Sequence, residues 1–197
     1  MNANQAGENK MTTHTYETSH FTYARVAGLT FLYYIAAGIT GLALADQSPL
    51  TEVLSLSTSF AALVLGVTLY AITLEQGPAL ALLAMMCRVI EAIDGEAAIF
   101  FAMGSLLFCW LLLRGRMIPS LLAWLGVLAS ALLVVILPLQ LAGLFGGTTN
   151  WSQSVDWLIW IPMLVFEVVF SLWLLIKGVA MPSGRAASSI RVNHPCD

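Results

Sequence analysis

Residues Pro78–Leu113, PALALLAMMCRVIEAIDGEAAIFFAMGSLLFCWLLL, decide how this chain is folded. They are 36 nearly apolar residues interrupted by Asp94-Gly95-Glu96. As one straight helix they would measure about 54 Å, whereas a hydrocarbon core is about 30 Å thick. One span is too long and two are slightly short. Two acids around a glycine are costly in hydrocarbon, and Asp-Gly is a turn dipeptide. The segment therefore predicts two short helices, Pro78–Ile93 and Ala97–Leu113, in a hairpin that reverses at Gly95.

Four further apolar runs flank this hairpin: Val26–Ala45 and Val53–Leu74 before it, Pro119–Phe145 and Trp157–Lys177 after it. Turn formers separate them, at Asp46-Gln47-Ser48-Pro49, Glu75-Gln76-Gly77, Arg114-Gly115-Arg116 and the polar stretch 146–156. Of 197 residues, 59% are hydrophobic and 10% charged, where a soluble domain carries about 25% charged residues. Mean hydropathy is +0.85. The pattern predicts an all-α polytopic transmembrane helix bundle of six spans rather than a large soluble core.

Charge asymmetry tests the count independently. With the N-terminus inside, Lys10, Arg25, Arg114, Arg116, Lys177, Arg185 and Arg191 all fall on the cytoplasmic side. The outer segments then hold only acids, Asp46, Glu52, Asp94, Glu96 and Asp156. Five spans would place Arg114 and Arg116 outside, against the positive-inside rule. Six spans with both ends in the cytoplasm satisfy it. Trp151, Trp157 and Trp160 at the outer boundary, and Trp110 and Trp124 at the inner one, read as interfacial belts. The resulting organisation is a polar cytoplasmic tail over residues 1–23, a six-helix transmembrane domain over 24–180, and a flexible cytoplasmic tail over 181–197. The polar N-terminal stretch contains no apolar run ending in a small-residue cleavage site, so no signal peptide is read.

Three ionisable residues cannot be placed in a loop: Arg88, Glu91 and Glu167. A charge at the centre of a span costs about 2.5–3.5 kcal/mol on insertion scales, so a partner or a wet cavity is expected. Arg88 and Glu91 are three residues apart and share a helix face. Arg88 and Glu167 both fall near mid-bilayer, and the arginine could bridge to Glu167 if the third and sixth spans touch. Two readings stand. The three residues form a candidate intramembrane cluster that binds a small-molecule ligand or carries a proton, or they form a polar knot that only fixes helix packing.

Other features are weaker. Pro162 lies five residues before Glu167 and removes the hydrogen bond to the Leu158 carbonyl. Ala37 and Gly41, four apart, would permit a close helix contact. Asn150-Trp151-Ser152 matches a glycosylation acceptor. Cys87, Cys109 and Cys196 make no CxxC pair, and His14, His20 and His194 all lie in the tails, so no metal site, cofactor or catalytic residue is expected. Metalloprotease, nucleophile-elbow and phosphate-loop motifs are missing, which leans against an enzyme. No basic patch with interleaved aromatics points to nucleic acid.

Four landmarks, taken in order, resemble a known family. They are Ala24-Arg25-Val26-Ala27-Gly28-Leu29 before an apolar span, Arg88-x-x-Glu91, Leu113-Arg114-Gly115-Arg116-Met117-Ile118-Pro119, and a glutamate in the last span followed by Trp173-Leu174-Leu175-Ile176-Lys177-Gly178-Val179. Together they resemble the bacterial membrane proteins grouped as domain of unknown function 4386, over roughly residues 24–180. That resemblance implies a six-span protein of the bacterial cytoplasmic membrane and implies no activity. The lipid bilayer is its expected surrounding. A small carrier and an accessory membrane subunit both fit; placement of the charged residues on the third span of each three-span half points to the carrier.

Overall fold

The computed structural model describes the backbone over residues 3–44, 49–93, 98–142 and 153–179, with side chains described from residue 21 onward except 42 and 153–157. Six α-helices run through it: α1 Ala3–Ala43, α2 Pro49–Thr73, α3 Pro78–Ile93, α4 Ala98–Arg114, α5 Ser120–Leu141 and α6 Gln153–Ile176. A 3₁₀ turn, Leu74–Gln76, joins α2 to α3. No strand occurs among the described residues. The α3 limits are those read from the sequence. Helix α1 begins at Ala3 and so takes in most of the segment expected as a polar tail.

Element ends follow local chemistry. Pro49 and Pro78 open α2 and α3, where a missing N–H costs nothing and φ is already helical. Helix α4 stops in a Schellman motif: Met117 N–H donates to the Leu112 carbonyl at 3.1 Å and Arg116 N–H to Leu113 at 3.1 Å. Arg116 takes the left-handed position of that motif at φ 50°. Helix α6 ends similarly, with Gly178 at φ 70° and its N–H donating to the Trp173 carbonyl at 3.2 Å.

Each helix packs on the next in sequence, and α6 packs back on α1, closing a ring. Successive helices are antiparallel. For α3 and α4, a Cβ on Gly104 would stand 3.1 Å from Cys87 Cβ, and one on Gly77 would stand 3.2 Å from Leu111. The chain therefore reverses between Ile93 and Ala98, as the hairpin reading requires. The turn itself, Asp94-Gly95-Glu96, lies outside the described residues, as do Asp46, Trp151, the Asn150 triplet and Cys196.

The outer surface is apolar, unlike that of a soluble protein. Apolar side chains point outward from every helix, among them Leu29, Leu56, Leu83, Met103, Leu128 and Leu172. Leu56 is 75% exposed and Leu121 84%. The interior is apolar too, built on Leu65, Phe108, Leu111, Phe166 and Leu174, with Thr68, Arg88, Ser105, Ser130, Glu167 and Ser171 set among them. An apolar surface this continuous marks a membrane environment. Three helices, Pro49–Gln76, Ser120–Leu141 and Leu158–Ile176, are long and apolar enough to cross a membrane, and Ala98–Arg114 is a shorter apolar helix. The buried threonine hydroxyls of α2 are satisfied within the helix, as lipid demands. Thr68 Oγ1 donates to the Val64 carbonyl at 2.7 Å and Thr73 Oγ1 to Leu69 at 2.8 Å.

Close approach of helices falls at glycines other than the one expected. A Cβ on Gly41 would meet nothing within 4 Å, so the Ala37–Gly41 pair makes no tight contact there. The close contact on α1 is at Gly28, whose added Cβ would stand 2.9 Å from the Ser171 carbonyl oxygen and 2.9 Å from Leu175 Cγ. Gly41 has the right size, but no neighbour comes within 4 Å of where its side chain would be.

Candidate functional site

Helices α1, α4 and α6 fill the centre of the ring with aromatic rings. Tyr34 of α1 stacks on Phe101 of α4, with centroids 6.3 Å apart and planes at 2°. Phe101 also meets Trp160 of α6 at 5.8 Å. Neither α1 and α4 nor α4 and α6 are neighbours in the ring, so these rings meet across its interior. Trp160, expected as an interfacial anchor, is thus partly drawn into the core. Trp110 and Trp124, at 46% and 49% exposure, lie outward beside the Arg114–Arg116 turn as expected.

Arg88 enters this interior from α3 and is completely buried. Its Nη1 donates to Glu91 Oε2 at 2.7 Å, the one-turn pairing that their spacing predicts. Tyr34 O–H donates to the other carboxylate oxygen, Oε1, at 2.7 Å. Glu91 is therefore held by a cation from its own helix and a hydroxyl from α1. The guanidinium carbon lies 4.8 Å from the centroid of Phe101, 5.9 Å from that of Tyr34 and 6.0 Å from that of Phe31. Ring faces attract a cation, so the charge that lipid would reject is lodged among aromatic side chains.

Tyr34 is the member that sequence reasoning missed. A signal existed: Tyr34 sits mid-span rather than at an interface, and a phenol inside hydrocarbon needs a partner for its hydroxyl. Which partner is a matter of tertiary contact.

Glu167 is buried at 5% exposure on α6, and its Oε1 has no hydrogen-bond partner. Arg88 Nε is likewise buried and unbonded. The condition for Arg88 to bridge to Glu167, contact between the third and sixth spans, is not met. Helices α3 and α6 do not pack on each other, and the ion pair of Arg88 is with Glu91. The two residues nevertheless stand at one level. Arg88 lies about 15 Å along α3 from Pro78, and Glu167 about 14 Å along α6 from Ile176, measured from the same end of the bundle. Glu167 lies within electrostatic range of both Arg88 and Glu91.

Around Glu167 the packing is tight. A Cβ on Gly126 of α5 would stand 2.6 Å from the Phe166 ring and 2.7 Å from Cys109 Sγ. Ser130 Oγ contacts Met163 Sδ at 3.7 Å. Cys87 and Cys109 are buried free thiols. Among the described residues no group of three or more His, Cys, Asp or Glu side chains could hold a metal ion. A cavity of about 1000 Å³ opens between α1 and α2, lined by Leu29, Tyr33, Leu56 and Phe60 among others, and neither Arg88 nor Glu167 lines it.

The model of the family described as domain of unknown function DUF4386 matches residues 95–178. The chain resembles that family over this segment, which carries the Leu113–Pro119 turn, Glu167 and the Trp173–Gly178 end of α6. The Arg88-x-x-Glu91 pair precedes it. No curated protein and no solved structure matches the chain.

Proposed function

We propose that this is a six-span protein of a bacterial cytoplasmic membrane, with both termini cytoplasmic, in which Glu167 binds a proton or a small polar ligand inside the bilayer. The observation that carries this reading is the buried Glu167 carboxyl, one oxygen of which has no hydrogen-bond partner among the described residues. A buried polar group without a partner is expensive, and an ionisable residue inside a membrane is a functional-site candidate by default. Arg88, Glu91 and Tyr34 read differently. They engage one another and brace α3 against α1, so the packing alternative applies to them and the binding role to Glu167.

Dicyclohexylcarbodiimide, an apolar reagent that modifies carboxyls within bilayers, tests the Glu167 assignment. In lipid nanodiscs the full chain is expected to form an adduct at Glu167, mapped by peptide mass spectrometry, and Glu167→Gln to abolish it. An unmodified Glu167 in the folded protein would sink the reading.

The orientation rests on charge. The alternating helices gather Arg25, Arg114, Arg116 and Lys177 at one end of the bundle, the end expected in the cytoplasm. A cysteine in place of Arg116 should resist a membrane-impermeant maleimide in intact cells and react after permeabilisation. Reaction in intact cells reverses the topology.

A further inference from the structure

One buried acid, Glu167, one partly buried acid, Glu91, and one buried cation, Arg88, share this bundle, and the cation has capacity to spare. Of the guanidinium nitrogens, Nη1 is committed to Glu91, whereas Nε donates to nothing. Opposite, Glu167 Oε1 accepts from nothing. An unpaired donor and an unpaired acceptor of opposite charge, at one level of the same closed interior, would each be relieved by meeting.

We propose that Arg88 is a two-position cation, paired with Glu91 in the arrangement described and swinging to Glu167 when that carboxyl is left charged and empty. The inference rests on Glu167 being the binding group and adds how its occupancy is relayed. When Glu167 holds its proton or ligand it needs no counter-charge, and Arg88 stays with Glu91. When the Glu167 O–H bond breaks and the proton leaves to water, the carboxylate attracts the guanidinium across the ring. Glu91 then keeps the Tyr34 hydroxyl as its remaining bond and loses its cation. Occupancy at α6 is thereby read out as a change in the α3–α1 brace.

Local construction suits a swinging head on a fixed stem. A Cβ on Gly66 of α2 would stand 3.0 Å from Arg88 Cβ, and one on Gly104 of α4 would stand 3.8 Å from Arg88 Cδ. The two glycines admit the aliphatic stem between α2 and α4 and hold it from both sides. Beyond Cδ the walls are the flat rings of Phe31, Tyr34 and Phe101, which attract a cation without fixing its rotation. The other titratable groups within electrostatic range of Glu167 are Glu91 of α3, Cys109 of α4 and Tyr34 of α1. Helix α5 carries no titratable side chain. Arg88 is thus the cation available to it within the described interior.

The same carbodiimide reaction decides the matter, because a carboxylate held by a guanidinium is shielded from the reagent. Glu91→Gln should release Arg88 to Glu167 and lower its modification about tenfold, a change within the range that coupled neighbours show. Adding Arg88→Gln to that variant should restore modification to the original level. Should Glu91→Gln fail to fold, Glu91→Asp shortens the acid by one methylene and is expected to act in the same direction. Modification of Glu167 that is equal in the parent and both Glu91 variants overturns the exchange but leaves Glu167 as a binding group. A parent protein that is not modified at all overturns the binding role, and the exchange falls with it.

Discussion

Arg88→Ala will cost the folded bundle about 3–5 kcal/mol, read as a drop in the unfolding free energy in detergent micelles. The loss is not chiefly that of one contact. Removing the guanidinium strands the Glu91 carboxylate in the interior with only the Tyr34 hydroxyl to bond it. It also empties the volume beside Phe101. The double replacement Arg88→Leu with Glu91→Leu removes both charges and refills the space, and should recover most of the loss, since apolar substitutes for a buried pair are often neutral or better. Tyr34→Phe takes away one neutral donor and should cost only about 0.6–1.7 kcal/mol, the range of hydrogen bonds measured between membrane helices. If Arg88→Ala unfolds no more readily than the parent, the pair contributes nothing to the fold. If the double variant is as weak as the single one, the stranded charge is not the cause.

Gly28→Val should lower stability by about 3 kcal/mol and Gly28→Ala by about 1–2 kcal/mol, after allowing for the helix propensity gained over glycine. Helix association in lipid gains nothing from the hydrophobic effect and depends on close packing. At Gly28 the missing side chain lets the backbone of α6 approach, with the Ser171 carbonyl oxygen 2.9 Å from where a Cβ would be. A carbonyl on a helix cannot step aside as a flexible side chain can. The added methyl must therefore push α6 from α1 and open the ring at its closure. Gly41→Ala, on the same helix with nothing within 4 Å, is the matched control and should be neutral or slightly stabilising. Equal effects at the two positions would mean that propensity, not packing, governs α1.

The candidate site was legible in part. Arg88 and Glu91 pair as their three-residue spacing requires, because one turn of helix brings them together whatever surrounds it. Tyr34 belongs with them through a contact spanning 57 residues, and nothing in local spacing names that partner. Glu167 could be recognised as buried and ionisable, and a bridge to Arg88 was open to it only if the third and sixth spans touched. Its isolation follows from ring order, with α3 and α6 not adjacent.

What the sequence determined by itself is everything set by local chain physics. Helix existence, the α3 limits, the reversal before Ala98 and the gathering of basic residues at one end follow from hydropathy, turn chemistry and charge. These quantities depend on a residue and its near neighbours. Tertiary structure alone decided which helices touch, and hence that Gly28 rather than Gly41 is the tight crossing, that Tyr34 serves Glu91, and that Glu167 keeps an oxygen free. Lipid solvates every apolar helix face about equally well, so hydropathy cannot rank the faces, and side-chain fit across the ring makes the choice.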